Sequence, residues 1–247
     1  MKISVITISF NSANTIEDTI QSVLSQNYSA IEYIIVDAAS TDGTLNIVEK
    51  YKSKISKVIS EKDDGIYFAL NKGISMATGD VIAFIHADDF YASETVLSSV
   101  MKLFYDENVE SVYGDLNYVD RLDTSKVLRN WKSGAYKTDS FLDGWMPPHP
   151  AFFLKKVCYE KFGAYNTSFR LAADYELMLR MLYKNKITTH YIPEVLVKMR
   201  TGGMSNVSIS NRITANREDR RAWKVNGLKP GIFTLIKKPL SKINQFL

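Results

Sequence analysis

Two neighbouring carboxylates, Asp88 and Asp89, follow the apolar run 81–85, and His86 stands two positions before the first of them. Adjacent acids at the end of a buried strand repel each other, and a divalent cation or solvent relieves that repulsion. Hard oxygen ligands in a small cluster suit Mg2+ or Mn2+, which typically take one or two carboxylates and fill their remaining positions with phosphate oxygens. The same pair would equally serve as a cap for a following helix. Asp174 opens the segment Ala172–Ala173–Asp174–Tyr175–Glu176. An acid there either complements the helix dipole or takes the proton of an attacking hydroxyl. Glu176, two residues on, points elsewhere on the helix and is the weaker choice. Asp63–Asp64–Gly65 and Asn71–Lys72–Gly73 bracket another helical run. They read either as a turn and a C-cap or as polar groups for a ribose and a diphosphate.

The elements that must position these residues alternate in type. Strands are expected at 3–9, 31–36, 57–60 and 81–85. Helices are expected at about 16–26, 44–51, 66–77 and 93–105, the last opened by a Ser cap. Uniformly apolar strands alternating with helices imply an α/β fold with a mostly parallel sheet covered on both faces. Ligands of such sheets bind beyond the carboxyl ends of the strands, and Asp37 and Asp88 both sit at such ends. The second half is less regular. Strands are expected at 111–118 and 126–131, and one or two edge strands broken by Pro193 at 187–200. Helices are expected at 157–162, 172–183 and 209–223. In the 172–183 helix, Tyr175, Leu179 and Leu182 share one face, with Glu176 and Arg180 on another. Residues 139–150, with three prolines, fit neither a helix nor a central strand.

The chain has 247 residues, of which 45% are apolar and 23% charged, ordinary values for a globular protein with a buried core. Its one cysteine, Cys158, excludes an internal disulfide and reads as structural. The N-terminus is too short and too polar for a secretory signal, and no run approaches a membrane span. A cytoplasmic location is expected. Nine Lys or Arg against Glu218 and Asp219 make 210–247 about +7, which leaves a slightly acidic body under the net +4. A basic tail suits either an anionic surface or a solvated helix. Confinement of the basic residues to the tail argues against nucleic acid.

In order and spacing these segments resemble the family-2 glycosyltransferases, over residues 1 to about 205. The resemblance rests on Ser4–Val5–Ile6–Thr7–Ile8–Ser9–Phe10–Asn11, Ser22–Val23–Leu24–Ser25–Gln26, and Val36–Asp37–Ala38–Ala39–Ser40–Thr41–Asp42–Gly43–Thr44. Residues 61–65, Asn71–Lys72–Gly73 and Ala77–Thr78–Gly79–Asp80 extend it. It implies a GT-A fold, with a nucleotide-binding half at about 1–115, an acceptor half at about 116–205 and a basic C-terminal extension at 206–247. It further implies an inverting, metal-dependent transfer from a nucleotide-sugar, with UDP favoured. By that analogy Asp37 contacts the base or ribose, and Thr7, Ser9 and Asn11 line the same pocket. Asp63, Asn71, Lys72 and Asp88 complete the donor site.

His86–Ala87–Asp88 takes the place of the family's DxD motif, with His86 replacing the first acid. The metal ligands are then expected from Asp88, Asp89 and His86, the ion being Mn2+ or Mg2+. Ala38 and Ala39 replace an Asp and a Gly common in the motif after the second strand. Residues 148–153 and 169–176 are similar to the subgroup that builds bacterial surface polysaccharides, in which Asp174 aligns with the catalytic base. Gly202–Gly203–Met204–Ser205 resembles a flexible loop near the donor. The Gln-x-x-Arg-Trp motif of processive synthases is absent, so one sugar per encounter is expected. Trp145 and His149 are expected on the acceptor side, Trp145 being as readily a core residue. The acceptor is expected to be a glycan or a lipid-linked sugar. Residues 231–238 fit an interfacial segment that would rest on the inner face of the cell membrane. Two other classes stay open: a nucleotidyltransferase, against which stands the lack of Gly, Lys or Arg in 10–15, and a non-catalytic carbohydrate-binding relative.

Overall fold

The structure, a computed structural model, describes residues 1–202, 209–231 and 234. The loop expected at 203–205 and the interfacial segment beyond 231 lie outside the described residues. β1 (Ile3–Ser9), β2 (Ile31–Asp37), β3 (Lys57–Ser60) and β4 (Val81–Phe84) form a parallel set in the order β3-β2-β1-β4. β5 (Asp89–Tyr91), β6 (Ser111–Val119), β7 (Val127–Trp131), β8 (Phe152–Lys155) and β9 (Thr189–Arg200) complete one nine-stranded sheet. β8 inserts antiparallel between β4 and β6, β9 runs parallel to β6, and β7 and β5 pair antiparallel with β6 and β9. Six strands therefore run one way, and the sheet is mostly parallel.

Alternation along each strand sends side chains into two cores. Ile3 and Val5 of β1 and Tyr33 and Ile35 of β2 pack under α1 (Ile16–Leu24), α2 (Thr44–Lys50) and α4 (Val96–Leu103). Ile6, Ile8, Ile34 and Val36 pack on the other face, against α3 (Ile66–Met76), α5 (Lys156–Phe162), α6 (Ala173–Met178) and α7 (Ile209–Val225). Cys158 lies in this second core, and burial pushes its thiol up to about 12.

Several expectations change. Residues 187–200 are neither edge strands nor broken at Pro193. β9 is continuous and lies between β6 and β5, and a register shift beside Gly114 and Asp115 absorbs the proline. Strands β5 and β8 were not expected; each is only three or four residues long. The 172–183 helix becomes α-helix to Met178 and a π-helical turn over Leu179–Lys184. Glu176 is buried, 2% exposed, and takes hydrogen bonds from Arg180 and from Asn226 beyond α7. Beyond the boundary expected at 205/206, Trp223 of α7 is fully buried and its Nε1 donates to the Tyr175 hydroxyl at 2.9 Å. Among the described residues no helix is long and apolar enough to cross a membrane.

Glu32 interrupts an otherwise apolar strand, and its partners explain it. Ser4 Oγ donates to its carboxylate at 2.6 Å, Thr78 donates through both backbone and hydroxyl, and Lys57 Nζ lies at 3.1 Å. Burial alone would raise this carboxyl, but these donors outweigh it and hold it at about 2. The stabilisation is present above about 4.5 and is lost as pH falls towards 2. Glu32→Gln should remove that acid dependence and lower stability at neutral pH by about 2–3 kcal/mol. Acid titrations of wild type and variant by circular dichroism would measure it.

Candidate active site

The carboxyl ends of β3, β2, β1 and β4 form one edge, and the loops that leave it are stitched together by side chains. Asp37, the last residue of β2, is fully buried. Its carboxylate accepts hydrogen bonds from Ser9 Oγ at 2.8 Å, Ser60 Oγ at 2.7 Å, and both the hydroxyl and the backbone N–H of Ser40. Asp37 therefore braces three loops at once. Asn11, at φ 48°, accepts from the Thr41 backbone through Oδ1, while its own N–H donates to Ser40 Oγ. Ala39 sits at φ 57°, in the left-handed region that glycine occupies without cost. Thr7 is not brought to this edge: it is fully buried one layer below Ser9, its hydroxyl 3.1 Å from that of Tyr33.

The loop after β3 supplies a second cluster. Lys72 Nζ is shared between Asp63 and Glu61, at 2.5 and 2.7 Å. Burial works to lower the lysine, yet the two carboxylates win and hold it above its ordinary value. The second oxygen of Asp63 is buried and has no hydrogen-bond partner. Asn71 faces another way: its amide donates to and accepts from the Tyr165 backbone, at 2.8 and 2.9 Å. It anchors the segment that leads into α6.

The third cluster joins the two halves of the chain. His86 and His149 face each other with their Nε2 atoms 3.1 Å apart, and His149 Nδ1 lies 3.4 Å from Asp174 Oδ2. Burial holds both imidazoles well below their usual range, so both are neutral near pH 7. His149 nevertheless keeps 29% of its side chain exposed and Asp174 keeps 22%, so the cluster opens to solvent at one side. Asp88 and Asp174 both act electrostatically on His86.

Asp89 lies apart, 1% exposed, with neither carboxylate oxygen hydrogen-bonded. Burial, then the charge of Asp88, raises its carboxyl well above the ordinary range, with Arg200 working the other way. Arg200 steadies this turn: it donates to the Asp88 carbonyl at 3.0 Å, pairs with Asp18 and covers the Phe90 ring.

A neutral imidazole and a neighbouring carboxylate, His86 and Asp88, fit a divalent ion that takes its other positions from phosphate oxygens and water. Among the described residues no three His, Cys, Asp or Glu side chains converge into a closed metal cage. Asp89 is 1% exposed, with both carboxylate oxygens buried, and does not fit as a ligand. Trp145 is absorbed by an aromatic cluster: its Nε1 donates to the Ser133 carbonyl at 2.6 Å, and its ring meets Tyr113 and Phe141 edge-on.

The start of α6 is held from an unexpected direction. Ala172 offers no side-chain cap. Instead the carboxylate of Glu218, on α7, accepts from the backbone N–H groups of Arg170, Leu171 and Ala172 at 2.8–2.9 Å. Arg221, also on α7, donates to Ser168 and lies over the Phe169 ring. Nothing local in the sequence marks these contacts, which span about fifty residues.

The family model described as "Glycosyl transferase family 2" matches residues 4–170. A PGL/p-HBAD biosynthesis glycosyltransferase of Mycobacterium bovis is 28% identical over 215 residues, covering 83% of this chain and 80% of that protein. An uncharacterized glycosyltransferase of Mycobacterium tuberculosis is 34% identical over 72% of this chain and 68% of its own. Among solved structures, S. aureus TarS 1–349 in complex with UDP-GlcNAc superposes with a TM-score of 0.71 at 16% identity. That match covers 92% of this chain and 65% of the TarS fragment, just under two thirds of it. The mannosyltransferase PcManGT of Pyrobaculum calidifontis, in complex with GDP-Man and Mn2+, superposes with a TM-score of 0.66 at 20% identity, covering 99% of this chain and 69% of that one. These two likenesses bear on the fold, which is GT-A.

Proposed function

The chain belongs to glycosyl transferase family 2, and from that premise we propose that it moves one sugar from a nucleotide-sugar to a glycan or lipid-linked acceptor in surface-polysaccharide assembly, with inversion at the anomeric carbon. The observation that carries the reading is the meeting of Asp174 with His149 and His86 at the open side of the strand edge. It brings a candidate base from the second half of the chain to the nucleotide edge of the first.

In this reading the nucleoside lies over the loops braced by Asp37. Ser9, Asn11 and Ser40 shape its pocket. The unpartnered oxygen of Asp63 accepts from the base or ribose, and Lys72 beside it faces the phosphates. A divalent cation, Mn2+ or Mg2+, would be held at His86 and Asp88 and would offset the charge of the diphosphate leaving group. Asp174 takes the proton of the acceptor hydroxyl as that oxygen attacks the anomeric carbon from the face opposite the diphosphate. One displacement inverts the configuration. Positioning and charge compensation supply most of the rate. A cytoplasmic location on the inner membrane face suits a lipid-linked acceptor, and UDP is the favoured nucleotide.

The experiment is a product analysis. The protein is incubated with UDP-, GDP- and dTDP-sugars, Mn2+ and a lipid extract as acceptor, and phosphorus-containing products are separated. Nucleoside diphosphate released from one donor class is expected. Nucleotide exchange with pyrophosphate would instead identify a nucleotidyltransferase, and no turnover of any donor would favour a binding-only relative.

A further inference from the structure

We propose that the outward face of α7 is a docking surface for an anionic lipid bilayer, and that it presents Asp174 to an acceptor held in that bilayer. The inference deepens the reading above, because it commits the acceptor to the lipid-linked class. Its docking half stands on the helix alone.

Three observations carry it. The first is the charge pattern. Arg217, Arg220, Arg221 and Lys224 recur at helical spacing, and at 3.6 residues per turn they fall within roughly 100° of one another. All four are exposed. The two acids of the helix are used elsewhere: Asp219 is 4% exposed, and Glu218 holds the backbone of Arg170, Leu171 and Ala172. The stripe is therefore of one sign. Like charges one turn apart repel, and an anionic surface relieves that repulsion. The second observation is apolar. Ile213, one turn before Arg217, and Val225, beside Lys224, are 49% and 46% exposed at the two ends of the stripe. Basic side chains flanked by apolar ones suit a helix that lies on a headgroup layer. The third is what the other face does. Ala222 and Trp223 are fully buried, and Trp223 Nε1 donates to the Tyr175 hydroxyl, one residue after Asp174. The helix that is basic outside thus positions the candidate base inside.

Two consequences follow. With two apolar side chains against a row of charges, adhesion is electrostatic and reversible, and salt weakens it. The anchor of a lipid-linked acceptor and the base are also brought to one surface by one helix. The same acceptor should therefore be turned over faster in anionic than in neutral vesicles.

The test is flotation of the full-length protein with vesicles of phosphatidylcholine, with and without phosphatidylglycerol. Binding is expected only where phosphatidylglycerol is present, and less of it at high salt. A triple variant, Arg217→Gln, Arg220→Gln and Lys224→Gln, should lower the partition coefficient roughly 10²-fold, at about fivefold for each charge near the surface. Arg221 is left in place because it holds Ser168 and covers Phe169. The three replaced side chains are exposed, so Tm should not change. A second variant replaces Lys237, Lys238 and Lys242 by Gln. Undiminished flotation of the α7 variant, with the loss confined to the second variant, would move docking into 230–247 and overturn the proposal. Equal binding to neutral vesicles, or no binding to either kind, would overturn it as well. Flotation needs no donor and no turnover, so its failure is distinct from failure of the transferase reading, which nucleotide-induced thermal shifts of the same preparation test.

Discussion

Asp174→Asn is expected to lower turnover by roughly 10²–10⁴-fold, the range for loss of a general base, while nucleotide affinity stays near the wild-type value. The two effects separate for a structural reason. An amide has no basicity towards a hydroxyl, so the chemical step fails. It still presents an oxygen to His149 Nδ1, 3.4 Å from the present carboxylate, so the neighbouring imidazoles keep their placement. The helix loses only a first-turn charge, worth about 0.3–1 kcal/mol. Steady-state turnover and nucleotide titrations on the same preparation would check both halves. Near-normal turnover would remove Asp174 from the base role.

The second large effect is expected far from the reacting atoms. Glu218→Ala removes the acceptor of three backbone N–H groups that precede α6. Orphaned donors of this kind cost on the order of 1–3 kcal/mol each when buried, and less where water reaches them. A total of about 3–4 kcal/mol is expected here, a fall in Tm of roughly 5–15 °C at this chain length. Asp174 begins two residues after the last of these amides, so its carboxylate loses its fixed position. Displacements of that size cost up to about 10²-fold in rate. The variant should therefore show a lower Tm and turnover reduced by roughly 10–10²-fold. Glu218→Gln, which keeps one acceptor oxygen, should recover part of both. A Tm and a rate unchanged in Glu218→Ala would mean that α7 does not set the geometry of α6.

The nucleotide half was largely legible. Its first strands are mostly β-branched and apolar, and Asp37 and Asp88 fall at or just past strand ends as expected. Local pattern suffices there because the central parallel strands, β1 and β4, are buried on both faces under helices. The second half was less legible for identifiable reasons. β5 and β8 are too short to establish a period. Pro193 in β9 looked like a break because sequence does not reveal the compensating register shift in β6. Glu176 was read only as lying on another face from Tyr175, Leu179 and Leu182, and its burial was not legible because its partners, Arg180 and Asn226, offset the cost from one turn away and from beyond α7.

The site shows the same division. Asp174 and His149 were both singled out, but as base and acceptor contact. Their meeting with His86 depends on long-range topology, which no local spacing encodes. Thr7 was placed in the pocket by analogy with the family, yet it lies two residues short of the strand end, buried, with its hydroxyl against that of Tyr33. Trp145 was divided between acceptor and core, and its bond to the Ser133 carbonyl places it in the aromatic cluster. The charge at 32 was the one local signal left unused. A lone Glu inside an apolar strand announces buried donors, and Ser4, Thr78 and Lys57 supply them.

The central claim is that the edge formed by Asp37, Asp63, His86 and Asp88 binds a nucleotide-sugar with a divalent ion. The most direct measurement is thermal unfolding with UDP, GDP, dTDP and CMP, each with and without Mn2+. A ligand at about 100 times its Kd adds roughly 2.7 kcal/mol, which is about 5–10 °C in Tm at this chain length. The account predicts that shift for one nucleoside diphosphate, larger with Mn2+ than without. No shift with any nucleotide, or an equal shift with and without the ion, would contradict it.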